Sequence, residues 1–431
     1  MSDITTLKKS LLMIQKLKKL LQEQHEKTFD PIAIIGMSCR VPQANNPREF
    51  WDLLCRGSNV ITTIPDERWE LLKGTNESAQ RDATLSYWGG YVRDIDQFDA
   101  YFFGISPREA IRMDPQQRLL MEVVYESFED AGLTTEQLAG SNTGVFSSLY
   151  ASQFSHLQHL ETDMDALLIP TGSAISIAAN RLSYLFDLRG PSMVLDTACS
   201  SSLIAVQLAC LNLQANLCDK AVVSAVNINL LPSIHSILAK ATMLAPTGQC
   251  NTFDAAANGY VQGEGAGSII LKPLSKALRD KDKIYAVITG SAVNQDGKTN
   301  GLTAPNGLQQ EQLLRAAYRI AKTDPALVSY VECHGTGTFL GDPIELQALG
   351  EVIGKNREYE QPCWISSVKT NLGHLEPAAG IVSMIKAALA LKHEQIPPHL
   401  NYTTANPHIS FDKYHLSIPK NTTQMPKYGD V

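Results

Sequence analysis

Three short stretches carry the side chains that could do chemistry. The first, LDTACSSSLIAV at residues 195–206, sets one thiol, Cys199, among small and hydroxyl-bearing residues just before an apolar run. The run reads as a helix that follows a strand, which puts Cys199 at or near a helix N-terminus. Unpaired N–H groups there favour negative charge and predict a lowered thiol pKa. Ala198, Ser200, Ser201 and Ser202 leave room for a carbonyl to approach the sulfur. Taken alone, the stretch reads equally well as a buried cysteine in a tight turn. The second stretch, VECHGTGTFLGDPIE, places His334 directly after a strand, in a loop with Gly335, Gly337 and Gly341. Glycines let main chain approach a ligand closely, and Thr336 and Thr338 offer hydroxyls to amide groups. The third, SSVKTNLGHLEPAAG, holds Lys369 and His374 between a strand and a helix. Loops that lead from strands into helices are where α/β folds place their ligands.

One thiol with two imidazoles suits a particular sequence of steps. The thiolate takes an acyl group as a thioester. The imidazoles then hydrogen-bond a second thioester carbonyl while a neighbouring carboxylate leaves as carbon dioxide, and the enolate so formed needs donors aimed at its oxygen. A papain-like hydrolase would need one histidine oriented by Asn or Asp and would leave the other idle. No third ligand with metal-site spacing joins the histidines, which argues against zinc.

The elements that must position these loops alternate in the α/β manner. Ile32 to Ile35 is an apolar run ended by Gly36, as in a strand buried on both faces. Met193 to Leu195 and Ala221 to Val226 read as strands, and Leu203 to Leu213 is apolar on nearly all sides, as a central buried helix must be. GAGSIILKPL and IYAVITGSAV, joined across the charged SKALRDKDK, read as two strands around a turn. The helix Gln309 to Ala321, the strands Val328 to Glu332 and Trp364 to Val368, and the helix Ala378 to Lys392 follow. IPPHLNYTTANPH is a proline-broken loop.

Composition narrows the class. The chain has 431 residues, 44% of them hydrophobic and 19% charged, with a formal net charge of −7. That balance lacks the basic face of a nucleic-acid binder. No apolar run reaches the ~18 residues of a membrane span, and the N-terminus lacks the pattern of a signal peptide. The eight cysteines form no C-x-x-C pair and read as reduced thiols of a cytoplasmic protein. N-x-S/T triplets at Asn76, Asn401 and Asn421 carry no meaning without secretion. Residues 4–27 form a separate helical unit: Ile4, Leu7, Leu11, Ile14 and Leu21 recur at coiled-coil spacing, interrupted by Lys18 and flanked by Lys8, Lys9, Lys16 and Lys19. Such a helix could pair with itself or a partner, pack on its own globule, or lie on a membrane surface.

At the three reactive stretches the sequence resembles the β-ketoacyl synthase (ketosynthase) domains of modular type I polyketide synthases, from about Pro31 to Ile418. FFGISPREAIRMDPQQRLLMEVVYESFEDAG, NTFDAAANGYVQGEGAG and NQDGKTNGLTAPNG match as well. The resemblance implies a thiolase-like, five-layered αβαβα fold of two similar halves. The domains would be a docking or coiled-coil helix at 1–28 and a ketosynthase domain at 29–431, its halves at about 29–275 and 276–431. By motif, Cys199 resembles the acyl-accepting nucleophile, and His334 and His374 the pair that supports decarboxylation of a malonyl-type extender. Lys369 resembles the lysine that organises them, and Thr336 and Thr338 the residues that bind a phosphopantetheine arm. The chain itself would bind no cofactor, since its substrates ride on the phosphopantetheine of an acyl carrier protein. Expected partners are a second copy in a homodimer, that carrier protein, and an upstream synthase module met through residues 4–27. An acyltransferase would be supplied elsewhere, with neither nucleic acid nor membrane involved. The family's closing glycine-rich segment, a core strand and gating loop, has no counterpart in SIPKNTTQMPKYGDV. Alternative readings are therefore an inactive or split fragment acting as a scaffold, or another thiolase-fold acyltransferase using Cys333 or Cys363.

Overall fold

The computed structural model describes residues 30–73, 82, 84–150, 152–158, 165–355, 357 and 360–428, together with Met13. The coiled-coil helix expected at 4–27 lies outside the described residues. Six strands form the larger sheet: β1 (Ile32–Arg40), β2 (Thr143–Ser148), β3 (Ser192–Leu195), β4 (Lys220–Asn227), β5 (Gly265–Pro273) and β6 (Ala286–Ile288). Their order is β3-β2-β4-β5-β1-β6. β2 runs parallel to both β3 and β4, whereas β5 is antiparallel to β4 and β1.

The sheet's two faces bury different helices. Ala33, Ile35, Val145, Val222 and Ile270 pack on Met121, Val124 and Phe128 of α1 (Pro115–Asp130) and Leu182 of α2 (Ile175–Leu185). Ile34, Met37, Phe146, Val223 and Ile269 pack on α3 (Ser201–Gln214) and α7 (Ala379–His393). The alternation of faces along each strand is the period-two rule of a pleated chain buried on both sides. Between α3 and α7 the chain order includes α4 (Leu274–Asp280), α5 (Gly307–Ala321) and α6 (Gly341–Leu349), besides the helices Pro232–Lys240 and Lys369–Leu372. A second, parallel sheet of β7 (Tyr330–Glu332), β8 (Cys363–Ser366) and β9 (Leu416–Ser417) backs onto α7 and is covered beyond by α6. The layers run helix, sheet, helix, sheet, helix. Among the described residues, no helix is long and apolar enough to cross a membrane.

Three expectations change. Gly36 does not end β1: it lies inside the strand at a register shift, where a Cβ would meet the Ser127 carbonyl oxygen at 2.5 Å. It is glycine because α1 crosses the strand there. GAGSIILKPL and IYAVITGSAV are not a hairpin. LSKALRD forms α4, which buries Ala277 and ends on left-handed Lys281, and so carries the chain across β1 to its far side. Finally, α3 is not covered all round, since Leu203 and Leu211 are 48% and 51% exposed.

Candidate active site

Cys199 sits on a sharp turn between β3 and α3. Ala198 takes a left-handed φ of 56°, and Ser200 caps the helix, so the sulfur stands one residue ahead of the cap. The small residues around it build the turn. Thr197 N–H donates to Ser201 Oγ (2.8 Å), Ala198 N–H donates to Asp196 Oδ1 (3.0 Å), and the Ile381 N–H of α7 donates to Ser202 Oγ (3.0 Å). The last bond fixes the nucleophile's turn to the helix that follows the third reactive loop.

His334 leaves the end of β7 held by main chain on both sides. Its N–H and that of Gly335 donate to the two oxygens of Glu345 on α6, at 2.6 and 2.9 Å. Its carbonyl accepts from Lys369 Nζ at 2.6 Å and from Ser367 Oγ at 3.2 Å. Gly335 has φ 46°, and a Cβ there would lie 2.7 Å from Thr252 Cγ2. Glycine is what lets the loop turn inward beneath the ring. His374 follows left-handed Gly373 and is knitted into the short strand Gln262–Gly263: its N–H donates to the Val261 carbonyl (2.7 Å), and its carbonyl accepts from Gly263 N–H (2.8 Å). Its Nδ1 accepts the Glu376 N–H at 2.9 Å, which leaves the ring proton on Nε2.

The three loops converge. Cys199 Sγ and one nitrogen from each of His334 and His374 lie within 4.8 Å of one another. The two rings stand edge to face, with centroids 5.4 Å apart. Such donors also have the composition of a metal site, but a proton on His374 Nε2 and the ammonium of Lys369 both oppose a cation. Lys369 is buried beneath; burial lowers its pKa, while the carboxylates of Glu332 and Glu345 raise it. Enclosure by protein pulls both imidazoles below the ordinary histidine range, fully for buried His374 and partly for His334, which opens to solvent on one side. The Lys369 ammonium acts in the same direction on both. Both rings are therefore neutral N–H donors at neutral pH.

The thiol departs from expectation. Burial raises the Cys199 pKa, and this outweighs the lowering by Lys369 and by the residue's own backbone N–H. The helix N-terminus is real, but the sulfur sits in a site dry enough to favour the thiol form. Thr336 and Thr338 follow His334 on the same loop, half-buried, their hydroxyl oxygens 3.2 Å apart. Burial raises the thiols of Cys333 and Cys363, the latter to about 12, and neither joins the reactive cluster.

Sequence reasoning did not single out Glu345, Glu332 or Glu376. Glu345 closes the quoted motif GDPIE, eleven residues after His334, and its role needed the α6 packing to be seen. Glu332 accepts the Val368 N–H at 2.6 Å and pairs with Lys386 Nζ at 2.7 Å.

A thiol between two imidazole donors, on three strand-to-helix loops of an αβαβα fold, defines a condensing-enzyme site of the thiolase type. Residues 29–277 match the family Beta-ketoacyl synthase, N-terminal domain, and residues 285–403 match Beta-ketoacyl synthase, C-terminal domain. The chain belongs to the β-ketoacyl synthase family. Within it, the chain is a ketosynthase of the modular polyketide synthase kind. One of the phenolphthiocerol/phthiocerol polyketide synthase proteins of Mycobacterium tuberculosis is 49% identical over 402 residues, covering 93% of this chain and 21% of that protein. Another protein of the same synthase and organism is 44% identical, with 92% and 22% covered. The chain thus spans about a fifth of the curated relatives it matches. Among solved structures, the ketosynthase from module 6 of the bacillaene synthase of Bacillus subtilis 168 superposes with a TM-score of 0.84 at 40% identity, covering 93% of this chain and 68% of that one. An oxazolomycin ketosynthase domain of Streptomyces albus JA3453 gives 0.84 at 35% identity, covering 92% and 68%.

Proposed function

We propose that this chain catalyses decarboxylative Claisen condensation between an acyl group on Cys199 and a malonyl-type unit on an acyl carrier protein, extending a polyketide chain. The observation that carries the reading is the convergence of Cys199 Sγ with two imidazole nitrogens within 4.8 Å. In the first half-reaction the thiol, as its thiolate, attacks the carrier-bound thioester, and the carrier's phosphopantetheine thiol leaves with the proton. In the second, the malonyl thioester loses carbon dioxide, and His334 and His374 donate hydrogen bonds to its enolate oxygen. The enolate carbon then attacks the Cys199 thioester and expels the cysteine as its thiolate, which takes up a proton from water. Lys369 holds the His334 carbonyl and lets both rings stay neutral.

Thr336 and Thr338, next along the loop, are assigned to the amide groups of the phosphopantetheine arm. The chain needs no cofactor of its own, and the acyltransferase that loads the extender acts from elsewhere. β3 is the edge of the larger sheet, with all four residues half-buried, and we assign it to pairing with a second copy in a homodimer. Residues 4–27 would receive an upstream module, with the whole assembly cytoplasmic. The exposed Leu203 and Leu211 of α3, and α5, which buries no residue, call for a further covering strand. The glycine-rich segment of the family has that role in this reading.

The test is intact-protein mass with an acyl thioester, followed by malonyl-loaded carrier protein. A stable adduct lost in Cys199→Ala, and carbon dioxide release lost in His334→Ala and His374→Ala, are the expected results. Acylation without condensation would favour a scaffold fragment. Unchanged transfer from an upstream carrier after deletion of residues 1–27 would remove the docking assignment.

A further inference from the structure

The wall beside Cys199 is lined by hydrogen-bonding groups that the condensation steps leave unused. Tyr150 follows β2 by two residues. Because β2 and β3 are parallel, with Ser148 opposite Leu195, it reaches the level of the turn that carries Cys199. Tyr260 stands across the site, its ring 5.4 Å from that of His374. Neither phenol oxygen has a hydrogen-bond partner among the described residues. Glu376 is near enough to both for its charge to act on each phenol: its backbone is left-handed (φ 49°), its N–H serves His374, and one carboxyl oxygen accepts from Gln262 Nε2 at 3.1 Å. Gln262 Oε1 in turn lies 3.0 Å from His235 Nδ1, which donates to it, so the relay is oriented toward Glu376. The second carboxyl oxygen bonds nothing among the described residues. Burial, with the charge of Glu376 beside it, keeps both phenols protonated.

Two unpartnered phenols and one unpartnered carboxyl oxygen thus stand close enough to Cys199 to interact with it electrostatically, and their meeting its acyl chain rests on the condensing function proposed above. We infer that Tyr150, Tyr260 and Glu376 form a specificity site for an acyl chain that carries a hydroxyl within a few bonds of the thioester. A hydroxyl fits because it accepts from a tyrosine and donates to the carboxyl, whereas a ketone offers only acceptors. Its fit survives protonation of Glu376, since a hydroxyl can accept that proton's hydrogen bond instead. A saturated chain would bury all three groups without partners, and sites built to pair a substrate hydroxyl discriminate strongly against analogues lacking it.

The test compares 3-hydroxybutyryl-pantetheine with butyryl-pantetheine by the rate at which Cys199 gains each mass. The hydroxyacyl thioester should react with a kcat/KM about tenfold or more higher. In Tyr150→Phe, Tyr260→Phe and Glu376→Gln, each a near-isosteric change, that ratio should fall toward one. Equal rates in the unaltered chain would overturn the specificity site and leave the condensing function standing. A ratio unchanged in all three variants would move the preference away from these residues and overturn the assignment. An absence of adduct from either thioester would refute the condensing function itself, and this inference with it.

Discussion

Replacing Glu345 with Gln separates the two half-reactions. The half-buried carboxylate accepts the N–H groups of His334 and Gly335 at 2.6 and 2.9 Å, and it is the acceptor for both of these amides. Glutamine keeps one acceptor oxygen but turns an amide N–H toward the other backbone donor. One N–H at the edge of the site then loses its acceptor and one charge-assisted bond becomes neutral, together about 1–2 kcal/mol. The loop relieves this by moving His334, and a displacement near 1 Å costs about 100-fold where geometry sets the rate. Cys199 shares no hydrogen bond with Glu345, so its acylation should change by less than about threefold. The assay is carbon dioxide release from malonyl-loaded carrier protein beside acyl-adduct formation by mass, with thermal unfolding as the fold control. Full decarboxylation in Glu345→Gln, or equal losses in both half-reactions with an unchanged Tm, would refute the argument that this carboxylate acts by placing His334.

Burial raises the Cys199 thiol above its ordinary value of 9.0, so its alkylation by iodoacetamide should keep accelerating through and beyond pH 9; a plateau below pH 7 would contradict this sign. Gly335→Ala places a methyl 2.7 Å from Thr252 Cγ2 and 2.8 Å from Ser367 Cβ at φ 46°, and should lower decarboxylation by about tenfold or more. Gly132→Ala, with φ 68° and nothing within 4 Å of the added carbon, is the control: it should cost about 1 kcal/mol of stability and leave decarboxylation intact. Lys386→Met alone strands the Glu332 carboxylate in the core and should lower urea stability by about 3–5 kcal/mol. Adding Glu332→Gln, which removes the stranded charge and keeps an acceptor for the Val368 N–H, should restore part of that stability but leave Lys369 short of an anion, so decarboxylation measured on the same samples should stay low.

Much of the site was legible because its chemistry is local in sequence. Cys199, His334 and Lys369 each lie within about four residues of a strand end, His374 follows on the same loop as Lys369, and periodicity located those strands to within about three residues. What escaped was set by contacts distant along the chain. Gly36 looked like a terminator because the crossing of β1 by α1 cannot be read from either segment. The charged linker SKALRDKDK looked like a turn, although Leu274 to Asp280 favours helix once Ala277 has a sheet to bury against. The thiol's direction was missed for the same reason: a helix N-terminus is visible in sequence, whereas the burial that overrides it is not. Glu345 was quoted within a motif yet given no task, since its partners are backbone amides, which leave no mark on residue identity.

Behind the reactive cluster, charge alternates. Fully buried Lys386 meets Glu332, Glu332 stabilises the ammonium of Lys369, and Lys369 and Glu345 grip opposite faces of the His334 peptide groups. Glu332 also accepts from Val368 N–H, the amide just before Lys369, and from the hydroxyls of Tyr330 and Ser366. A buried ion pair contributes little net stability over apolar residues of the same shape, so stability alone does not account for four such charges in one seam. Position does. Each bond ties one layer to the next: α7 to β7, β7 to the turn after β8, that turn to the His334 loop, and the loop to α6. Enclosure by protein sets the neutral state of both imidazoles, and the same row reinforces it, because the cation nearest them is held in place by anions on its far side. An apolar seam could match the packing, but it would supply neither the charge that adds to burial in keeping the rings neutral nor a grip on the peptide that aims one of them.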